Sequence, residues 1–301
     1  MPEARVNVEV GDRALSLSNL DKVLYPQTGF TKAQVIDYYV RVAPAMLTHV
    51  AHRGVTLVRW PNGVDQTSFF SKNCVSHRPD WVDVALGPGR SDGGGIRYCC
   101  LNEVAALAWT ANLAALEIHG PMALAVDIET PTMVVFDLDP GEPATITECA
   151  QVALDITAML SGIGLESWSK TSGSKGMQMY VPLNSPCTHK QASEFALAVA
   201  QVMERQFPDR VVSSMSKALR PGKVFIDWSQ NSRHKTTIAP YSLRAKDRPT
   251  VSTPITWDEV SDAAAGAPMT FVADEVLARV QDLGDIFAPT ATLVQELPEI
   301  G

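Results

Sequence analysis

The chain has 301 residues, 46% hydrophobic and 19% charged, enough for one large domain or two small ones with a packed core. It holds no uninterrupted apolar run of bilayer-spanning length and no charged-then-apolar leader, so the sequence predicts a soluble cytoplasmic protein with no membrane partner. The net charge of −8 argues against nucleic acid only as a sum, because residues 251–301 hold nine acids and one base while residues 1–250 balance 24 acids with 24 bases.

In chain order, Thr31 and Gln34 form a capping box that opens a helix to about residue 49. Val35, Tyr39, Val42 and Met46 share one of its faces, and Pro44 predicts a kink. Val55–Arg59 reads as a strand, followed by a turn-rich polar loop holding Phe69 and Phe70. Residues 102–116, rich in Ala and Leu, predict a helix. A strand at 134–140 comes next, then a second capping box, Thr145 with Glu148, opening an amphipathic helix to about Gly162. Strands "LESWSK" and "MQMYVPL" flank the loop "TSGSKG" (residues 171–176). A helix over 189–206 and a strand "KVFIDW" at 223–228 follow. The acidic end beyond about residue 250 carries only a weak helical signal. Cys74, Cys99, Cys100, Cys149 and Cys187 show neither a disulfide framework nor a convincing zinc spacing, so buried or idle thiols in a reducing compartment are expected.

The chemistry concentrates in "VVFDLDPG". Side chains alternate along a strand, so Asp137 and Asp139 share a face opposite Leu138. Two close carboxylates repel unless protonated or metal-bound, and carboxylate oxygens suit magnesium or manganese. A strand end whose aspartates cap the next helix is the bland alternative, which a same-face pair makes less attractive. A haloacid-dehalogenase-type phosphohydrolase fits poorly, because Pro140-Gly141-Glu142 follows the pair. A glycosyltransferase metal clamp remains open on the pair alone. Ser172, Lys175 and Gly176 lie in a small-residue loop suited to turning backbone N–H groups toward an anion, though such loops are often ordinary hairpin turns. Asp227, between Ile226 and Trp228, is a third acid that is costly to bury without a partner. Three such carboxylates can hold two cations for phosphoryl transfer. Eight bases in residues 217–248, against two acids, add a local basic surface.

The blocks "FDLDPGE", "TSGSKG", "KVFIDWSQN" and "KTTIAPYSLR", together with "SNLDKVLYP", "RWPNGVDQTSFF" and "AALEIH", resemble the polymerase/primase module of bacterial end-joining ligase D. That module belongs to the archaeo-eukaryotic primase superfamily, and the blocks occur in the family's order over most of residues 14–250. The resemblance implies an α/β fold with mixed sheets flanked by helices, forming a single domain over 1–301 with a core at about 14–250 and an acidic flank at 251–301. It implies a nucleotidyltransferase that extends a DNA primer on a template, favours ribonucleotides, and works at short gaps or broken ends with a downstream 5′-phosphate. By resemblance, Asp137, Asp139 and Asp227 bind two manganese or magnesium ions. Ser172, Lys175, Gly176 and Gln178, with His119, Lys235 and Arg244, hold the nucleoside triphosphate. Lys22, Lys32, Phe69, Phe70 and Arg220 meet DNA. Apart from the family, His119 reads as a helix-end residue and Lys32 as a solvated one. Gln178 departs from the family, which usually has histidine there. The chain's length leaves no room for ligase or phosphoesterase modules, so a freestanding, nucleoid-associated protein is expected, with Ku and a separate ligase as partners. A catalytically weak DNA-end binding module is the alternative.

Overall fold

The computed structural model describes residues 5–87 and 95–298. The chain divides into two compact units, the first made of Met1–Pro121, Ile238–Ser252 and Phe271–Asp285, the second of Met122–Thr237, Thr253–Thr270 and Ile286–Gly301. Among the described residues no helix is long and apolar enough to cross a membrane.

The first unit begins with a hairpin of β1 (Arg5–Val10) and β2 (Arg13–Ser18), which was not predicted. A smaller hairpin, β3 (Val23–Tyr25) and β4 (Phe30–Thr31), leads into α1 (Lys32–Val50). The expected capping box is formed: the Thr31 hydroxyl accepts from the Gln34 N–H and the Gln34 side chain accepts from the Thr31 N–H. The helix continues through Pro44, and Val35, Tyr39, Val42 and Met46 are all fully buried on its inner face. Next come β5 (Gly54–Arg59), β6 (Phe69–Ser71), β7 (Val84–Gly87), β8 (Ile96–Cys100), α2 (Val104–Asn112) and β9 (Ala115–Gly120). They build a sheet in the order β9–β5–β8–β7, with β6 also paired to β5.

Several expectations are corrected in this unit. The helix predicted over 102–116 stops at Asn112, because Ala114 adopts a left-handed conformation (φ 56°) and a strand starts at the next residue. His119 therefore sits on a strand rather than at a helix end. Cys74 and Cys99, read as idle thiols, are joined by a disulfide across 25 residues of sequence, while Cys100, Cys149 and Cys187 are free.

The second unit contains β10 (Ala123–Leu124), β11 (Asp127–Pro131), β12 (Met133–Pro140), α3 (Ile146–Gly162), β13 (Trp168–Thr171), β14 (Met177–Pro182), α4 (His189–Gln206), β15 (Val211–Val212) and β16 (Val224–Asp227). After β17 (Thr237–Ile238), the later segments supply β18 (Pro254–Ile255) and α5 (Trp257–Ala264) to this unit and α6 (Ala273–Leu283) to the first. The stretch read as an acidic flank with a weak helical signal thus provides helices to both. The expected strand at 223–228 ends one residue early, since Trp228 opens a 3-10 turn (Trp228–Asn231).

The second unit's sheet has the order β15–β16–β12–β14–β13–β18, with β12 antiparallel to both neighbours. Val134, Phe136 and Leu138 of β12 are fully buried on the face covered by α3 and α4. There the Phe136 ring meets Phe195 edge-on at 6.5 Å, and the Cys149 thiol reaches the Leu138 carbonyl at 3.5 Å. Burial of a side chain such as Phe136 contributes about 1.5–3 kcal/mol, so the alternation that hides these residues also pins Asp137 and Asp139 to the opposite face.

Beyond the end of β16, Asn231 continues the ladder on β12. Its side chain accepts from the Val135 N–H at 2.8 Å and donates to the Val135 carbonyl at 2.8 Å and the Trp228 carbonyl at 2.9 Å. Asn231→Leu strands these buried groups and is expected to cost about 3 kcal/mol, read as a lower urea midpoint at unchanged slope.

Candidate active site

Antiparallel register assembles the site. Asp137 lies directly opposite Asp227 on one side and Gln178 on the other, and Gln178 in turn lies opposite Lys170. Directly opposed residues share a face, so Lys170, Gln178, Asp137 and Asp227 form one polar row across β13, β14, β12 and β16. Asp139 follows on the same face, opposite Phe225.

The sequence singled out Asp137, Asp139, Asp227 and Gln178, and the structure brings them together. It missed Lys170, whose side chain is fully buried. No local signal marked it, since its role depends on the register that sets β13 against β14. Ser229 and Gln230 were also missed. Asp227 Oδ1 accepts from the Ser229 N–H at 3.0 Å and its hydroxyl at 2.6 Å, and Asp227 Oδ2 accepts from the Gln230 amide at 2.9 Å.

The carboxylates are under electrostatic load. Burial, and then the charges of Asp139 and Asp227, push Asp137 up to about 7, against the Gln178 amide and the Lys170 charge. Burial and Asp227 raise Asp139, and Arg220 and Lys175 pull it back. Among the described residues no three or more His, Cys, Asp or Glu side chains stand grouped closely enough to hold a metal ion by themselves. An open row is nevertheless what a hard cation needs when it is held by a few carboxylates and completes its shell with water and substrate phosphates. The donors are all oxygen, and the load on Asp137 and Asp139 is what a divalent ion would relieve, so the residues fit such a group.

The load has a measurable sign. A carboxyl held above its unfolded value binds protons in the folded state that the unfolded chain has already released. The metal-free protein therefore loses stability as pH rises from the ordinary carboxylate range through about 7. Asp137→Asn should remove that decline, so that in chelator the variant gains on wild type more at about pH 7.5 than at about pH 5 in urea denaturation.

Two glycines let backbone close on β12. A Cβ at Gly176 would collide with the Leu138 carbonyl oxygen, and one at Gly141 with that of Arg220. Gly176 thus brings the 171–176 loop against the aspartates, where the Ser172 hydroxyl accepts from the N–H groups of Ser174 (3.3 Å) and Gly176 (3.2 Å). Lys175 is exposed on that loop. Gly141 does the same for Arg220, whose guanidinium stacks 3.6 Å from the centre of the Phe225 ring. Lys235 is exposed on a turn of the same unit, its N–H donating to the Ser232 carbonyl at 2.9 Å.

The remaining residues lie in the first unit. Buried Glu117, which the sequence left without a role, accepts from Arg244 Nε at 3.0 Å and from the Ala245 N–H at 3.1 Å, and pairs with His119 Nε2 at 3.0 Å. Burial alone would raise the Glu117 carboxyl, but His119, Arg244 and the Ala245 N–H together hold it below the usual range. Lys22 and Lys32 meet at the mouth of the β3–β4 hairpin, where the Lys32 N–H donates to the Lys22 carbonyl at 2.8 Å. Lys32 is buried rather than solvated, its amine donating to the Ser18 carbonyl at 2.7 Å. Phe69 and Phe70 are both exposed, at 55% and 60%, and neither belongs to the core.

The family described as "LigD, primase-polymerase domain" matches residues 31–287. The chain is similar to the "Multifunctional non-homologous end joining protein LigD" of Mycolicibacterium smegmatis, 46% identical over 275 residues that make up 91% of this chain and 35% of that protein. It is 31% identical over 271 residues to the "Bifunctional non-homologous end joining protein LigD" of Bacillus subtilis, covering 90% of this chain and 43% of that protein. It thus spans well under half the length of these curated relatives. Among solved structures, the "Polymerase Domain from Mycobacterium tuberculosis Ligase D in complex with DNA" matches with a TM-score of 0.87 and 43% identity over 93% of this chain and 99% of that one. The mixed α/β architecture, the acid row and these matches make the chain a member of the LigD primase-polymerase domain family, a family of nucleotidyltransferases of end-joining DNA repair.

Proposed function

We propose that this chain adds nucleotides to a DNA primer on a template, preferring ribonucleotides, at short gaps or broken ends with a downstream 5′-phosphate. The observation that carries the reading is the Asp137–Asp227 cross-strand pair with Asp139 next along the same face and the charges of Lys175 and Arg220 acting on it. Manganese or magnesium, as two ions held by the three aspartates, would supply activation of the primer 3′-hydroxyl and stabilisation of the departing pyrophosphate.

The protein's own residues bind and orient. Ser172, Lys175 and Gly176 cradle the triphosphate with backbone and side-chain donors, and Lys235 adds its charge to it. Gln178 donates to Asp137 Oδ1 at 3.1 Å and so orients that carboxylate. Phe69 and Phe70 offer stacking surface to bases, Lys22 and Lys32 take the 5′-phosphate, and Arg220 contacts DNA. DNA is the partner in the complex of the Mycobacterium tuberculosis ligase D polymerase domain. Ku, a separate ligase and a cytoplasmic, nucleoid-associated place of work complete the proposal.

Extension of a labelled primer across a short 5′-phosphorylated gap tests it, comparing ribo- with deoxyribonucleotides and manganese with magnesium. Template-dependent addition with pyrophosphate release supports the reading, and faster use of ribonucleotides supports the sugar preference. Tight gap binding without addition would leave a DNA-end binding module, and release of inorganic phosphate would indicate a phosphohydrolase.

A further inference from the structure

Gln178 has two chemically different ends, and the polar row determines which one faces the acids. Its Oε1 accepts from the Lys170 amine at 2.6 Å and from the Tyr180 hydroxyl at 3.1 Å. Tyr180 is itself 2.9 Å from the Thr237 hydroxyl, and the Lys170 amine lies 5.6 Å over the Tyr180 ring. A lysine ammonium has donors and no acceptor, so it can face only the oxygen of the amide. The NH2 end is thereby committed to Asp137 Oδ1. Without Lys170 the amide could turn over and present a second oxygen to a carboxylate already crowded by two others.

We propose that Lys170 is a positioning residue for the metal-binding carboxylates: it locks the Gln178 amide, and through it sets Asp137 to receive a divalent cation. This rests on the metal-site reading above. The charge of Lys170 enters the site from two strands away from Asp137, with Gln178 as the connecting dipole, and needs no contact with substrate. Tyr180 supports the same amide orientation as the weaker of its two clamps.

The test is manganese binding to the free protein, without nucleotide or DNA, read from the electron paramagnetic resonance signal of unbound Mn2+. Lys170→Met and Gln178→Leu should each weaken binding about 10-fold or more, in the range found when an outer partner of a metal ligand is removed. The double variant should be no weaker than either single one, because both break one chain of contacts. Tyr180→Phe should shift affinity in the same direction by less, and keeps the test informative if Lys170→Met does not fold. Thermal unfolding in chelator separates lost binding from lost structure. Wild-type affinity in folded Lys170→Met, or losses that add in the double variant, would overturn the proposal while leaving the metal site standing. If wild type and Asp137→Ala bind manganese equally weakly, the metal-site reading itself fails, and the role of Lys170 fails with it.

Discussion

Primer extension is expected to fall about 10³-fold or more when Asp137 and Asp139 are both replaced by alanine, under any metal and with either sugar. The variant should nevertheless fold. Its two missing carboxylates are ones that burial and mutual repulsion push toward the protonated form, so the native state loses an electrostatic cost rather than a support. In chelator near neutral pH the double variant should melt no lower than wild type. Addition of manganese should then raise the melting temperature of wild type and not of the variant, because only a folded state that binds the ion is stabilised by it. Undiminished extension by a folded double variant would rule out these aspartates as the centre of the reaction.

The second large effect lies at Glu117. Its carboxylate and Arg244 are both largely buried, with side-chain exposures of 10% and 19%. Glu117→Ala removes the acceptor that Arg244 Nε, the His119 ring and the Ala245 N–H share, and removing one partner of a buried pair typically costs about 3–5 kcal/mol. Urea denaturation should show that loss directly. The pH dependence has the opposite sign from the aspartates'. A carboxyl held below its unfolded value stabilises the fold above the ordinary carboxylate range, and that contribution disappears as pH falls through the depressed value. The gap between wild type and Glu117→Gln should therefore narrow toward acid. With His119 and Arg244 no longer oriented, nucleotide KM should rise in Glu117→Gln more than kcat falls. A variant as stable as wild type would show that the pair is dispensable.

What could be read from the sequence was what is locally encoded. The capping boxes at Thr31 and Thr145 each span four residues, and both open helices where expected. The helix over 189–206 runs from His189 to Gln206. Strand alternation placed Asp137 and Asp139 on one face because Phe136 and Leu138 declared the other. The end of α2 was hidden, since an Ala- and Leu-rich run scores as helix until a single left-handed residue, Ala114, breaks it. Contacts made at long range were hidden altogether. Cys74 meets Cys99 only because the sheet brings the segment after β6 beside β8, where the Cys74 N–H donates to the Arg97 carbonyl at 2.6 Å. Glu117 finds Arg244 across 127 positions, and nothing within either neighbourhood announces the other. Lys170 drew no reading from the sequence, because only the register sets it opposite Gln178.

The interleaving of the two units bears on how the chain comes off the ribosome. The first unit needs Phe271–Asp285, which emerge after nearly all of the second, and the second needs the segment from Ile286 on, which emerges after all of the first. Val276 of α6 is fully buried in the first unit's core, and Phe287 is almost fully buried in the second unit's. The two units therefore cannot be completed one well before the other during synthesis, as consecutive domains on a chain commonly are. A nascent chain arrested shortly before Phe271 should be open to protease in both units at once, and a premature stop there would release a substrate for degradation rather than a smaller working protein.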